Sequence, residues 1–213
     1  MRKMMVAGLA VASLFVAASA MADEGGGGGL EAGLRLGYGL PMGDAVKNGK
    51  MSDAISGMIP IWLDVGYRID PSLYAGLYAQ YGIVSVKDCP SGVDCSANDI
   101  RFGVMGAYHI SPDASFDPWV GLGIGYEMLS IKASAGGAEA KTSYKGLEFA
   151  NLQVGGDYKV SPNFGIGPFL SFSLGQYSSA TVDIPGMGSQ SGSIDQKAMH
   201  EWLTFGVRGA FNM

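Results

Sequence analysis

Apolar and polar residues alternate with a period of two along most of the chain. From Leu30 to Leu40, Leu, Ala and Tyr side chains occupy every second position, and Glu, Arg and Gly occupy the positions between them. Alternation of this kind predicts a β-strand with one apolar face and one polar face. The pattern recurs eight times, and the predicted strands cover about residues 30–40, 59–69, 73–83, 100–110, 120–128, 148–160, 164–175 and 201–211.

The predicted connections alternate between short and long ones. Three short turns share the order Tyr, basic residue, aliphatic residue and proline turn, as in the segment 67–72. Pro168 interrupts the apolar face of the seventh strand, and because proline lacks an N–H donor we expect a bulge or a break in pairing there. Longer polar stretches predict four exposed loops, at residues 41–58, 85–99, 132–146 and 178–200.

The length of the strands and the composition of their two faces favour a membrane barrel over a soluble one. Eleven residues exceed the ~5–6 of an ordinary soluble strand and match the ~9–11 that a tilted strand needs to cross a bilayer. A soluble lipocalin-type barrel, the alternative, would direct a solvated polar face outward. The polar face here is mostly glycine with single charges, which suits a narrow interior. The sequence predicts an all-β fold, an eight-stranded antiparallel up-and-down transmembrane β-barrel.

Charged residues fall on the glycine-rich face, and their signs nearly balance. Because a buried charge needs a partner, we predict an interior polar network. The alternative is that these residues only pack the interior and have no further role. The predicted members of the network are Glu31, Arg35, Asp64, Arg68, Arg101, Glu127, Asp157, Lys159 and Arg208.

Aromatic residues on the apolar face concentrate near the two ends of the predicted strands. Such positions are typical of the girdles at the two membrane–water interfaces. Outer-membrane barrels have short turns in the periplasm and long loops outside, so both chain ends are expected on the periplasmic side. The predicted girdles contain Tyr38, Tyr67, Tyr81, Tyr108, Tyr126, Tyr158 and Phe211.

The N-terminal segment predicts export from the cytoplasm. Arg2 and Lys3 precede an apolar run, and small residues offer cleavage sites after Ala20 and after Ala22. The run is shorter than the ~20 residues that a membrane-spanning helix needs, which disfavours a helical anchor. We predict a signal peptide at residues 1–22, a glycine-rich segment at 23–29 and the barrel at 30–213.

Charge and cysteine content narrow the possible partners. Acidic residues outnumber basic ones by 19 to 14, which argues against nucleic acid as a partner. Cys89 and Cys95 lie close together in a chain that leaves the reducing cytoplasm, so we predict a disulfide between them. His109 and His200 are far from these cysteines in sequence, and we expect neither a metal site nor a cofactor.

With its signal peptide, its eight alternating strands and its closing segment W-L-T-F-G-V-R-G-A-F-N-M, the chain resembles the small outer-membrane β-barrel superfamily that includes the OmpA transmembrane domain, OmpX and OmpW. The resemblance implies localisation in the cell outer membrane, in contact with its lipids and lipopolysaccharide. It also implies that the barrel-assembly machinery reads an aromatic residue at the end of the last strand. Phe211 matches that residue, although Asn212 and Met213 follow it here.

Three functions remain open for such a barrel. The first is a structural or surface-interaction role, in which the charged interior closes the lumen and four loops are displayed. The second, implied by the similarity to OmpW, is a conduit for small or hydrophobic solutes, in which Trp62 and Trp202 line an upper pocket. The third is a lipid-modifying enzyme, which needs a nucleophile with a His and a carboxylate in reach. We expect the first function and no enzymatic activity. The candidates for the third are His109, His200, Glu201, Ser189, Ser191 and Ser193.

Overall fold

The computed structural model describes residues 28–186 and 188–213. The predicted signal peptide and most of the glycine-rich segment lie outside the described residues. The first strand begins at Gly29. No helix within the described ranges has the length and apolar character needed to cross a membrane.

The described chain forms ten β-strands and one short helix. In chain order these are β1 (Gly29–Val46), β2 (Gly49–Lys50), α1 (Met51–Ala54), β3 (Ile55–Arg68), β4 (Leu73–Val86), β5 (Asp94–His109), β6 (Phe116–Ala135), β7 (Ala138–Ser161), β8 (Phe164–Ile184), β9 (Gly188–Ser193) and β10 (His200–Asn212).

Eight of these strands close into a ring through antiparallel pairing. Each strand pairs with the next in the order β1, β3, β4, β5, β6, β7, β8 and β10, and β10 returns to β1 with Arg208 opposite Arg35. The predicted eight-stranded up-and-down barrel is confirmed. The two other strands lengthen one end of the ring, because β2 pairs with β1 and β9 pairs with β8.

The strands of the ring carry apolar side chains outward and polar or small side chains inward. On β4, Leu77 is 63% exposed whereas the next residue, Tyr78, is 3% exposed. So large an apolar exterior matches the hydrocarbon of a bilayer rather than water. We call this surface the apolar belt. Its members on the eight strands include Leu36, Ile61, Leu77, Val104, Leu122, Leu152, Leu170 and Val207.

The two ends of the barrel differ in their connections. Turns of a few residues join β3 to β4, β5 to β6 and β7 to β8 at one end, here called the short-turn end. The opposite end is called the long-loop end. Some of its strands extend further than the sequence pattern predicts, and β7 alone is 24 residues long.

The predicted loop 132–146 is wrong. These residues form the ends of β6 and β7, which are joined only by Gly136 and Gly137. The two glycines have φ angles of 57° and 83°, which suits a two-residue hairpin turn of type I′. A Gly-Gly pair is therefore a hairpin signal here, despite the weak alternation around it. The predicted loop 178–200 likewise contains the end of β8 and all of β9.

Pro168 does not produce the predicted bulge. It lies opposite Val207 of β10 in an uninterrupted register. On the β7 side, Gly167 and Pro168 have no partner position, but the register is the same before and after them. The predicted break in pairing is therefore present on one side of β8 only.

An apolar cluster fills the lumen at the long-loop end. Helix α1 contributes Met51, which is buried together with side chains from six strands of the ring. Because these strands lie on all sides of the lumen, their side chains meet across it. We call this cluster the long-loop cap; it contains Met51, Ile55, Met58, Val84, Ala97, Leu129, Tyr177 and Trp202.

Candidate functional site in the barrel interior

A charge network occupies the lumen toward the short-turn end. Alternation along each strand directs its members inward, and acids and bases are equal in number. Arg208 is its most connected residue, since it contacts carboxylates from three other strands. We call this set the short-turn network; it contains Glu31, Arg35, Asp64, Arg68, Asp157 and Arg208.

Arg208 joins strands across the lumen. Its Nη1 donates to Asp157 Oδ2 at 2.6 Å, and its Nη2 donates to Glu31 Oε1 at 2.5 Å. The same Nη2 lies 3.3 Å from Asp64 Oδ2. Charge-assisted bonds of this kind are short and are stronger than neutral ones. One side chain of β10 therefore ties β1, β3 and β7 together.

Arg35 and Arg68 complete the short-turn network. The Nε of Arg35 donates to Asp64 Oδ1 at 2.8 Å, and its guanidinium carbon lies 4.6 Å from the ring centroid of Trp62. Arg68 donates from Nε and Nη2 to the same oxygen of Glu31, at 2.8 and 2.6 Å. Each carboxylate of this network thus accepts from at least one guanidinium.

His109 and Asp117 lie beside the short-turn network. His109 Nδ1 is 2.7 Å from Asp117 Oδ2, and its Nε2 is 3.2 Å from Arg68 Nη2. His109 is buried. Asp117 and the buried Trp119 were not predicted, because the fifth strand was predicted to begin at about residue 120. Extending its alternation backward would have placed both inward.

A second charge network lies toward the long-loop end, beneath the cap. Arg101 donates from Nε to Asp99 Oδ2 at 2.7 Å and from Nη2 to Glu127 Oε1 at 3.3 Å. Its Nη1 lies 3.5 Å from Glu148 Oε1. We call this set the long-loop network; it contains Asp99, Arg101, Glu127, Glu148 and His200.

Glu127 is the acceptor that links this network to the cap. Tyr177 OH donates to its Oε1 at 2.7 Å, and His200 Nε2 lies 2.8 Å from its Oε2. The rings of Tyr177 and His200 stack with their centroids 4.1 Å apart. The polar network and the apolar cluster are therefore in direct contact through Tyr177 of the cap.

The two networks differ in charge balance. The short-turn network has three acids and three arginines, whereas the long-loop network has three acids, one arginine and one histidine. Tyr78 connects them through Trp62. Its hydroxyl donates to Glu148, its ring lies 5.3 Å from that of Trp62, and Arg35 of the short-turn network packs on the same Trp62 ring. The interior is thus continuous, and its negative charge increases toward the long-loop end.

Three members of the long-loop network were not predicted in the interior. His200 directly precedes the predicted strand 201–211, and Asp99 and Glu148 were missed for two other reasons. Asp99 precedes Arg101 by two positions and would have been found if the predicted strand had begun one residue earlier. Glu148 and Asn151 both point inward although they are three positions apart, because a register shift between Glu148 and Ala150 interrupts the alternation. A bulge of this kind leaves no sequence signal in the period-two pattern.

The prediction that Lys159 lies in the interior is wrong. Its side chain is exposed at the rim of the short-turn end and donates from Nζ to the carbonyl oxygen of Pro112. The alternation of β7 is correct up to Asp157, but Lys159 lies at the end of the strand, where the lumen opens to solvent.

The predicted girdle residues occupy outward positions. Five of the tyrosines are 38–57% exposed. Tyr67, Tyr108 and Tyr158 lie near the short-turn ends of their strands, whereas Tyr38 and Tyr81 lie nearer the middle because β1 and β4 extend further than predicted. Tyr126 and Phe211 are half-buried. The ring of Tyr126 packs 5.9 Å from that of Phe102 on the neighbouring strand.

The residues considered for lipid chemistry are not brought together. His200 is buried in the lumen against Glu127, whereas Ser189, Ser191 and Ser193 are exposed on β9. Within the part of the chain that the structure describes, no group of three His, Cys, Asp or Glu residues is arranged to hold a metal ion.

The two tryptophans proposed to line one pocket lie in different clusters. Trp202 belongs to the long-loop cap, and Trp62 packs against Tyr74 and Tyr78 further down the barrel. Both are buried. A cavity of about 290 Å³ instead opens at the short-turn end and is lined by charged residues that include Arg68 and Asp157.

The predicted disulfide between Cys89 and Cys95 is confirmed. Their Cα atoms are 5.9 Å apart, within the range of native disulfides. The bond closes the connection between β4 and β5 at the long-loop end. Such a bond fits a protein that is exported to an oxidising compartment.

Comparison with known proteins identifies the fold. No family model and no curated protein matches the sequence. The structure is similar to a major outer membrane protein from Thermus thermophilus, with 12% identity, coverage of 86% of this chain and 99% of that chain, and a TM-score of 0.55. It is also similar to the outer membrane protein OprG from Pseudomonas aeruginosa, with 14% identity, coverage of 88% and 98%, and a TM-score of 0.52.

A weaker match is the outer membrane protease OmpT from Escherichia coli, with 8% identity, coverage of 87% and 97%, and a TM-score of 0.44. At these identities the likeness concerns the fold, and fold alone does not assign chemistry. The ring of eight strands, the apolar belt and the similar solved structures agree with the sequence resemblance. The chain has the fold of the small outer-membrane β-barrel superfamily.

Proposed function

We propose that the protein is an integral outer-membrane barrel with a closed, ion-paired interior that acts as a structural and surface-interaction protein. The observation that carries the proposal is the set of ion pairs across the lumen. Arg208 on β10 contacts acids of β1, β3 and β7, and Arg101 on β5 contacts acids of β6 and β7. The long-loop end would then be displayed outside the cell.

The ion pairs oppose the opening of a solute path. A solute that passed along the axis would have to displace Arg208 from Asp64 and Asp157, which lie two strands away on either side. It would then have to displace Arg101 from Glu148, which also lies two strands away. Breaking one buried pair costs about 3–5 kcal/mol because it leaves an uncompensated charge. The long-loop cap adds a second obstruction of packed apolar side chains. We therefore place the conduit function second.

We also propose that the protein is not an enzyme. Nucleophilic catalysis needs a hydroxyl or thiol within hydrogen-bond reach of a base. Both histidines of the described chain are engaged with carboxylates, His109 with Asp117 and His200 with Glu127. No serine or threonine oxygen bonds to either ring within the described residues. The two cysteines are joined in a disulfide.

The proposed partners follow from the location. The apolar belt contacts outer-membrane lipids, and the surfaces above it contact lipopolysaccharide. The last strand, with Phe211 near its end, is the segment that the barrel-assembly machinery would read. Removal of residues 1–22 during export precedes these steps.

Electrophoretic mobility and single-channel recording on one refolded sample test this function. A folded barrel resists SDS until it is boiled, so we expect boiled and unboiled samples to migrate differently. We expect no discrete conductance in a planar bilayer, with a porin added afterwards as the positive control. Discrete channels would support the conduit instead, and identical mobility before and after boiling would contradict the membrane barrel.

A further inference from the structure

The cavity at the short-turn end is surrounded by most of the ring. Its lining comes from β1, β3, β6, β7, β8 and β10 and from prolines of all three short turns, so it lies near the barrel axis. Its volume of about 290 Å³ has room for a small organic molecule. We call it the mouth cavity; its lining includes Leu30, Arg68, Asp117, Asp157, Lys159 and Asn212.

Asp157 brings a carboxylate oxygen without a donor to the mouth cavity. Its Oδ2 accepts from Arg208 Nη1 at 2.6 Å, whereas its Oδ1 is buried and has no hydrogen-bond partner among the described residues. Asp157 is only 5% exposed, and a buried acceptor that is left unpaired is costly. Asn212, on the opposite side of the seam strand β8, has a second buried side-chain oxygen in the same state. The lining therefore lacks donors where it is deepest.

The other acid of the lining is already satisfied. Asp117 Oδ2 lies 2.7 Å from His109 Nδ1, and its Oδ1 accepts from the backbone N–H of Ser111 at 3.2 Å. Of the two carboxylates that line the mouth cavity, only that of Asp157 thus has an oxygen left for a ligand.

The two bases of the lining differ in a similar way. Arg68 pairs with Glu31 and also donates to the carbonyl oxygen of Pro71. Lys159 is exposed at the rim and donates to the carbonyl oxygen of Pro112, but within the described ranges it forms no ion pair. Because an ammonium group has three donors, Lys159 can still bind an anionic group.

The free acceptor and the free base lie at different depths. Asp157 and Lys159 are two positions apart on β7, about 7 Å along the strand, and only Asp157 is buried. A ligand that reached both would carry its ammonium and its carboxylate at opposite ends of a short chain. Leu30, Phe164 and Ala210 add apolar surface to the lining, which suits the methylene groups of such a chain.

We propose that the mouth cavity binds a short ω-amino acid, whose ammonium donates to Asp157 Oδ1 and whose carboxylate accepts from Lys159 Nζ. Both bonds are charge-assisted and therefore stronger than neutral ones. Lys159 repels a ligand that carries only an ammonium, and Asp157 repels one that carries only a carboxylate, so the lining selects for both groups together. This site goes beyond the proposed function, because it needs the folded ring but neither a closed lumen nor a particular orientation in the membrane.

Titration calorimetry of the refolded wild-type protein in detergent micelles tests the site with 4-aminobutyrate. Butylamine and butyrate each keep the chain and one of its two charged groups. We expect saturable binding of 4-aminobutyrate and binding at least about tenfold weaker for either analogue, because each loses one hydrogen bond between charged groups.

Reversing the charge at the rim gives the sharpest variant. Lys159→Glu replaces an exposed ammonium by a carboxylate, so 4-aminobutyrate should bind about fivefold more weakly. The diamine 1,4-diaminobutane should instead become the preferred ligand. Loss of structure alone would weaken both ligands and would not exchange them. Lys145→Glu makes the same charge change at the long-loop end, and we expect it to leave both affinities at the wild-type level.

A second variant tests the deep end of the mouth cavity. Asp157→Asn keeps an oxygen for Arg208 but removes the negative charge, and we expect it to weaken 4-aminobutyrate about tenfold or more. A heat-modifiable mobility shift is recorded for every variant, so that binding is compared only between folded barrels.

Contrary results distinguish the site from the function. Butylamine that bound as tightly as 4-aminobutyrate would overturn the ω-amino acid site, and so would a Lys159→Glu variant that kept the wild-type preference. Lack of saturable binding by a wild-type protein that shows the mobility shift would also overturn the site and leave the proposed function intact. A wild-type protein without that shift would contradict the barrel, and the proposed function would fall with it.

Discussion

Asp64 separates two arginines that the barrel register places face to face. Arg35 and Arg208 are directly opposite on β1 and β10, where like charges would repel each other across the strands. The Oδ1 of Asp64 accepts from Arg35 at 2.8 Å, and its Oδ2 lies 3.3 Å from Arg208. A single carboxylate of β3 therefore compensates the charge at the seam where the first and last strands meet.

Removing the charge of Asp64 should be among the most destabilising single changes in the interior. Asp64→Asn leaves two buried guanidinium groups short of an acceptor, and we expect the free energy of unfolding to fall by about 3–5 kcal/mol. Urea titration of the refolded barrel in lipid vesicles measures this loss. Lys159→Gln, which removes an exposed charge, is the control and should change stability by less than about 0.5 kcal/mol.

A double variant separates charge compensation from packing. Arg35→Met combined with Asp64→Leu removes both partners, and we expect it to lose much less stability than Asp64→Asn because no guanidinium of Arg35 is left unpaired. If the stability loss of the double variant equalled the sum of the losses of Arg35→Met alone and Asp64→Leu alone, Arg35 and Asp64 would not act as a pair.

At the level of the strand, alternation predicts the faces wherever pairing is regular. Asp64 of the predicted strand 59–69 was assigned correctly to the interior from the sequence alone. Glu148 was missed since a bulge changes which face the alternation selects. Lys159 was misplaced because alternation does not show where the lumen ends. Both errors arise from geometry that the order of residue types along one strand does not contain.

The cost in stability of placing a charge on the outer face should depend on how deep in the bilayer the position lies. Leu77 lies near the middle of β4, and Ser85 lies near its long-loop end on the same face. Leu77→Arg should lower the free energy of unfolding by about 2–4 kcal/mol, whereas Ser85→Arg should cost about 0–1 kcal/mol, because the penalty falls toward the interface. Unfolding in vesicles of defined thickness compares the two variants. Equal costs would argue against a bilayer around β4.

Across the whole molecule, the lumen is divided into layers. The long-loop cap is apolar, the long-loop network has more acids than arginines, and the short-turn network is balanced. The sequence predicted charged residues inside but not their division, because the assignment of partners depends on which strands become neighbours across the lumen. Residues as far apart as Glu31 and Arg208 meet only when the ring closes.

The orientation of the whole barrel can be measured by labelling. In a background with Cys89→Ser and Cys95→Ser, a membrane-impermeant maleimide should label Ser189→Cys on intact cells. Ser161→Cys, exposed at the short-turn end, should react only after the outer membrane is permeabilised, because that end is expected in the periplasm. The reverse pattern would show that the long-loop end faces inward.

The Gly136–Gly137 turn has a practical consequence for protein engineering. Ala135, the last residue before the turn, lies nine positions beyond Tyr126, at the edge of the belt, so the strand extends about 30 Å beyond that edge. No atom lies within 4 Å of where a side chain would begin at either glycine, so an insertion between them has room, although the positive φ angles disfavour replacing either one. A peptide epitope inserted at this turn would be carried on a rigid two-stranded stalk, which makes the hairpin tip a natural site for antigen display on living cells.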